Sequence, residues 1–232
     1  MAKARSVLLG KNVIAAQSYA ERAARAAEEP ATMILGDTQY WENSSGETHR
    51  EFDLPAMITA DGDRYWCIRD EYHRDNDLPA IERESGYRAW FRHGDLHRVG
   101  GPAVIDDDGS KKWFYEGLNH RIDGPAVTKP DGSEEWRING VYHRIGGPAV
   151  IDIEGRKEFW YENGLPHRLD GPAIVDSTGE YWMQNGKLHR DDDLPAVTYK
   201  NGGQEWRQNG KLYRLNGPAV IHADGREEWH SE

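Results

Sequence analysis

Nine of the eleven prolines in this chain are followed by alanine, and they recur about every 23 residues. They are Pro30, Pro55, Pro79, Pro102, Pro125, Pro148, Pro172, Pro195 and Pro218, with steps of 25, 24, 23, 23, 23, 24, 23 and 23. Each of the nine tryptophans lies 10 to 12 residues after one of these prolines: Trp41, Trp66, Trp90, Trp113, Trp136, Trp160, Trp182, Trp206 and Trp229. A fixed phase between two residue types identifies an array of one supersecondary unit, repeated nine times.

Turn chemistry says what the unit is. The first turn of each period reads Asp61-Gly62, Asp108-Gly109, Asp131-Gly132 or Asp224-Gly225, with Glu154-Gly155 and Thr178-Gly179 as variants. The second reads Asn139-Gly140, Asn163-Gly164, Asn185-Gly186 or Asn209-Gly210. Asp-Gly and Asn-Gly between β-rich runs take the φ > 0 geometry of type I′ hairpin turns. Two turns per period predict two strands per period, while Pro and Gly leave no uninterrupted helical window. The expected fold is all-β: an elongated single-layer antiparallel meander of nine hairpins, twisted or superhelical, with about eighteen strands spanning on the order of 80 Å.

Residues 1–29 differ. Leu9, Val13, Ala16, Ala20, Ala23 and Ala27 form an amphipathic stripe that Pro30 ends, so this segment reads as an α-helical cap before repeats at 30–232. The same stripe could pair two copies of the chain. So could the open C-terminal edge, where Arg226, Glu227 and Glu228 otherwise guard against aggregation.

Composition supports a thin architecture. Apolar residues make up 37%, below the roughly 45–50% of a compact domain, yet there are nine Trp and eleven Tyr. Burying each large ring removes ~150–250 Å² from water, roughly 4–6 kcal/mol gross, so the tryptophans read as a structural ladder. The alternative is an exposed aromatic platform for sugars or bases. Net charge is −11, although residues 1–30 carry five cations against three acids. An acidic body does not draw DNA or anionic membrane to itself; it suits a basic protein partner. With one cysteine, Cys67, and no stretch approaching a membrane span, the expected setting is cytoplasmic.

The succession Trp160-Tyr161-Glu162-Asn163-Gly164 followed by His167-Arg168, with Gly-Pro-Ala-Val-Ile next to it in later copies, resembles the MORN repeat family in a divergent form. The glycine two residues before Trp is missing, the Trp-to-Gly spacing is one residue longer, and Pro-Ala replaces the second Gly pair. The resemblance covers residues 30–232 and implies a non-enzymatic, elongated β-sheet protein used in scaffolding and self-association. The His-Arg-x-Asp-Gly-Pro-Ala pattern also looks like repeat proteins of phage and bacterial genomes.

Seven histidines share one position, each followed by Arg: His49, His73, His97, His120, His143, His167 and His189, with Tyr213 in the eighth copy. Equivalent positions lie about 9.6 Å apart, too far for two of them to share a zinc ion, so no metal is expected. Asp53, Asp77, Asp123, Asp170 and Asp193, two residues before the repeat Pro, stand ready to pair with the Arg of their own repeat. Three acidic clusters are candidates for partner binding: Asp75 with Asp77, Asp106-Asp107-Asp108, and Asp191-Asp192-Asp193. They are either solvated turns or a rail of negative charge imitating a phosphate backbone.

Catalysis finds no foothold in the sequence. The notable residues come in many copies, whereas a catalytic set is a singular departure from a pattern. No cofactor is implied. The expected function is protein–protein interaction, specifically phage inhibition of a host-defence enzyme by binding or nucleic-acid mimicry. Glycan binding, a virion structural role and an antitoxin-like role are alternatives.

Overall fold

The computed structural model describes residues 19–230, and these divide between Arg98 and Val99 into two compact units. Apart from a helix over residues 19–28, the regular structure in both is short antiparallel β-strand. In the first unit Met33–Leu35, Thr38–Tyr40, Met57–Ile58, Arg64–Tyr65, Ile81–Glu82 and Arg88–Ala89 pair in succession as a meander. The second unit continues the pattern from Val104–Ile105 through Val150–Asp152 and Val197–Tyr199 to Glu227–Glu228, each strand pairing with the next.

The number of strands per period differs from the sequence expectation. Each Asp-Gly-type turn joins two strands of the meander, but the Asn-Gly-type turn builds a separate two-stranded ribbon, such as Phe114–Tyr115 with Leu118–Asn119. The cause lies at the tryptophan, where the chain leaves the meander. Its N–H is taken by the next repeat's Ala carbonyl, as in Trp136 to Ala149 at 2.7 Å, and its own carbonyl accepts the His N–H, as from His143 at 3.0 Å. Ala56, Ala80, Ala103, Ala126, Ala149, Ala173, Ala196 and Ala219 are fully buried at this junction.

The two turns also differ in type. In the ribbons both central residues have positive φ, for instance Asn139 at 48° and Gly140 at 82°, as type I′ requires. In the Asp-Gly turns only the glycine does, Gly109 at 86°, because the Asp108 carboxylate accepts the Ser110 N–H at 2.8 Å and fixes a right-handed Asp. These turns are type I with a left-handed glycine, not type I′.

The helix covers the first repeat through its last turn. Arg50 donates to the Ala26 carbonyl at 2.8 Å and the Trp41 indole to Glu29 at 3.2 Å, satisfying carbonyls that a helix C-terminus leaves open. Ala26 is therefore the buried residue, while Ala20 and Ala27 of the expected stripe face solvent. Leu9, Val13 and Ala16 lie outside the described residues.

Candidate functional site

The repeat residues form an internal lattice. Eight arginines lie over the tryptophan of their own repeat at 3.6–4.3 Å from the ring centre: Arg50, Arg74, Arg98, Arg121, Arg144, Arg168, Arg190 and Arg214. Arg50, Arg74, Arg121, Arg144, Arg168, Arg190 and Arg214 are among those that also donate to the carbonyl of the following repeat proline, at 3.0–3.4 Å. The guanidinium is planar and weakly hydrated, so it can stack and donate at once.

Two classes of loop connect Arg to Pro, and they set the burial of the ring that follows. Long loops, Arg50–Pro55, Arg74–Pro79 and Arg190–Pro195, carry one extra residue, and in them Asp53, Asp77 and Asp193 take positive φ. Their carbonyls accept the indole N–H of Trp66, Trp90 and Trp206 at 2.9–3.0 Å, and those rings are buried. Trp136, Trp160 and Trp182 follow short loops and are half-buried; the indole nitrogens of Trp160 and Trp182 are enclosed without a partner. Trp229 stands apart from the ladder, 69% exposed, with no arginine over its ring among the described residues.

The same insertion redirects the Arg–Asp pairs. Asp123 and Asp170, in short loops, bind their own Arg121 and Arg168 at 3.0 and 2.8 Å, as the sequence suggests. In long loops the carboxylate reaches instead to the next repeat: Asp53 to Arg74 at 2.6 Å, Asp77 to Arg98 at 2.8 Å, and Asp193 toward Arg214 at 3.8 Å. The Arg98 bond holds the Asp77 carboxyl below the usual range.

The histidines join ribbon to ribbon. Nδ1 of His73, His120, His143, His167 and His189 accepts the backbone N–H of the first turn residue in the following ribbon at 3.0–3.2 Å. At His120 and His167 the side-chain oxygens of Asn139 and Asn185 also lie 2.8 and 3.1 Å from the same nitrogen. Tyr213 occupies this position where no further ribbon follows among the described residues. Nδ1 of these five histidines is thus engaged by the main chain, and no group of three or more His, Cys, Asp or Glu among the described residues is placed to hold a metal ion.

The acidic candidates separate into two places. Asp75, Asp77, Asp191, Asp192 and Asp193 lie in long loops, where Asp75 and Asp191 also bind Nε2 of His73 and His189 at 3.2 and 3.1 Å. Asp106, Asp107 and Asp108 lie in a turn of the meander, and Asp106 is paired with Lys112 at 2.7 Å. That turn has equivalents the sequence analysis passed over because they hold single acids. Hydrogen bonds within the turn hold the carboxyls of Asp108, Asp131 and Asp176 below the usual range, the donors being Ser110, Ser133 and Thr178. Arg226 does the same for Asp224. The second unit thus carries a rim of fixed carboxylates along its turns.

Short loops expose one aliphatic residue each, immediately after the arginine: Val99 75%, Ile122 80%, Ile145 79%, Leu169 69% and Leu215 71%. Long loops have Glu51, Asp75 and Asp191 there.

Cys67 is buried, and desolvation followed by the Asp70 charge pushes its thiol up to about 11, so it stays protonated and unreactive at neutral pH. A cleft of ≈ 480 Å³ under the helix is lined by Arg22, Arg25 and Arg50 together with Glu29, Glu42 and Glu51, which leaves it without net charge. No helix among the described residues is long and apolar enough to cross a membrane. No family model matches the chain, and no curated protein is similar to it.

Proposed function

We propose that this chain is a non-enzymatic binding protein that engages a basic protein partner along the acidic rim of its second unit. The observation that carries the reading is the presence of Asp108, Asp131, Asp176 and Asp224 in the turns of four repeats, each accepting a hydrogen bond from within its turn, with Asp176 standing two positions earlier than the others relative to the repeat proline. Successive turns are about two strands, or ~9.6 Å, apart, so Asp108 and Asp131 lie one such step apart while Asp176 and Asp224 each follow after two, and the rim carries negative charge at multiples of the repeat spacing. A basic groove that normally holds a phosphate backbone recognises that pattern. Inhibition of a nucleic-acid-processing enzyme by mimicry, as in a phage protein directed at host defence, is the specific form of this reading. The MORN-like repeat pattern supports a binding role over catalysis, and so does the use of the repeated His, Arg and Trp within the fold. Glycan binding has less support, since each of eight indole faces already carries an arginine.

The test is binding to a panel of purified nucleases with basic grooves, measured by fluorescence anisotropy with duplex DNA as competitor. Binding should be competed by DNA and weaken steeply between about 50 and 200 mM salt. The fourfold variant Asp108→Asn, Asp131→Asn, Asp176→Asn and Asp224→Asn should lose it. Binding that ignores salt and survives the fourfold variant overturns the reading.

A further inference from the structure

Three successive repeats expose aliphatic side chains at two positions each, in the ribbon and in the loop that follows. The ribbon residues Leu118, Val141 and Leu165 are 50%, 47% and 48% exposed, and the loop residues Ile122, Ile145 and Leu169 are 80%, 79% and 69% exposed. The ribbon row is continuous: a Cβ placed on Gly140 or Gly164 would sit 3.6 Å from Leu118 or 3.4 Å from Val141, so each side chain lies against the next ribbon's turn. In the following repeat both positions become charged, as Lys187 and Asp191, and the patch stops.

Nothing within the fold requires these six residues to be apolar, since the arginine before each loop residue already closes the repeat. Together they expose on the order of 600 Å² of aliphatic surface, at the upper end of what a soluble monomer shows. We propose that this patch is a self-association face, covered by the same patch of a second copy related by a two-fold axis near Ile145.

Three features select a second copy. The knobs recur at the repeat spacing of about 9.6 Å, and another copy carries the same spacing, so the rows match over all three repeats. The loop row begins one repeat earlier, at Val99, but the two rows run together over three repeats, and a two-fold axis at the middle one sets Ile122 opposite the partner's Leu169 and Ile145 opposite its counterpart. Asp123 and Asp170, next to the loop residues, are paired with Arg121 and Arg168, so these carboxylates add no net charge where two copies at −11 meet. Two such faces bury on the order of 1,200 Å², the lower bound of a standard interface. This inference stands apart from the acidic-rim reading, which uses other residues and the opposite salt dependence.

The experiment is sedimentation equilibrium of the full chain, whose monomer is 26.4 kDa. A dimer is expected, tightening with salt as repulsion between acidic copies is screened. The variant Ile122→Asp, Ile145→Asp, Leu169→Asp should be monomeric or bind itself at least about tenfold more weakly, with an unchanged urea midpoint showing that it folds. As an independent check, Ile145→Cys should form a covalent dimer under mild oxidation, whereas Leu215→Cys, equally exposed but outside the patch, should not. The rim variant with four Asn substitutions should still dimerise. A monomer at every concentration and salt, or a triple variant that remains dimeric, overturns the proposal.

Discussion

Arg74 closes two hydrogen bonds, 2.6 and 3.0 Å long, on the carboxylate of Asp53, which lies 21 residues earlier in the preceding repeat. The same arginine covers Trp66, so one guanidinium ties a ring, a proline carbonyl and the neighbouring loop together. Asp53→Ala should therefore lower stability by about 1 kcal/mol, as expected for a charge-assisted bond spanning two repeats. Asp123→Ala, which removes a solvent-exposed pair within one loop, should cost clearly less. Urea unfolding of the two variants separates them.

The indoles should divide in the same way. Trp206 is buried and donates to the Asp193 carbonyl, whereas Trp182 is half-buried with an enclosed nitrogen lacking a partner. Trp206→Phe leaves a buried carbonyl unmatched and should cost about 2 kcal/mol. Trp182→Phe loses no hydrogen bond and should cost about half that or less. Acrylamide should quench Trp229 before any buried ring, which single-tryptophan difference spectra would reveal.

Acid should destabilise the protein through its turn and loop carboxylates. Asp77, Asp108, Asp123, Asp131, Asp170, Asp176 and Asp224 all have folded-state pKa values depressed by hydrogen-bond donors. A depressed value means the stabilisation is complete above the unfolded pKa of about 3.9 and disappears as pH falls through the lower folded value. Urea midpoints should fall as pH drops below about 5. Asp131→Asn should flatten that decline, and a midpoint that rises on acidification would contradict the assignment.

Much of this architecture is legible in the sequence, because Pro, Trp and Gly each perform a task other residues do badly. Pro-Ala and Trp mark the junction where the chain leaves the meander, so their phase gives the period. The Asn-Gly pairs announce type I′ ribbons correctly. Asp-Gly misleads, because the aspartate's own side chain captures the Ser110 or Ser133 N–H and changes the turn type, a preference invisible in a dipeptide. The separate ribbons were also hidden, since nothing in Trp136 itself says that its N–H will serve Ala149 and not a strand neighbour. One clue was readable in retrospect: Arg-to-Pro spacing is four residues in five repeats and five in three, and that single insertion decides where Asp53, Asp77 and Asp193 point. For the candidate site, clustering drew attention to Asp191-Asp192-Asp193, while the rim of single acids at equivalent turns emerges only once the turns are aligned in space.

Histidine replacement tests the joint between ribbons. His143→Leu removes the acceptor of the Asn163 N–H and should cost about 0.5–1.5 kcal/mol. Tyr213→His should bring no gain, since no ribbon among the described residues follows to supply a donor. A stabilised Tyr213→His protein would show that imidazole is favoured there for its ring alone.

The claim that the repeated polar residues lock each repeat to the next is tested most directly by amide hydrogen exchange at Asn163, whose N–H meets His143 Nδ1 at 3.0 Å. The account predicts that this turn amide exchanges as slowly as those of the meander strands, and that His143→Leu releases it while neighbouring repeats stay protected. Fast exchange at Asn163 in the unmodified protein, at the rate of a free turn, would contradict it.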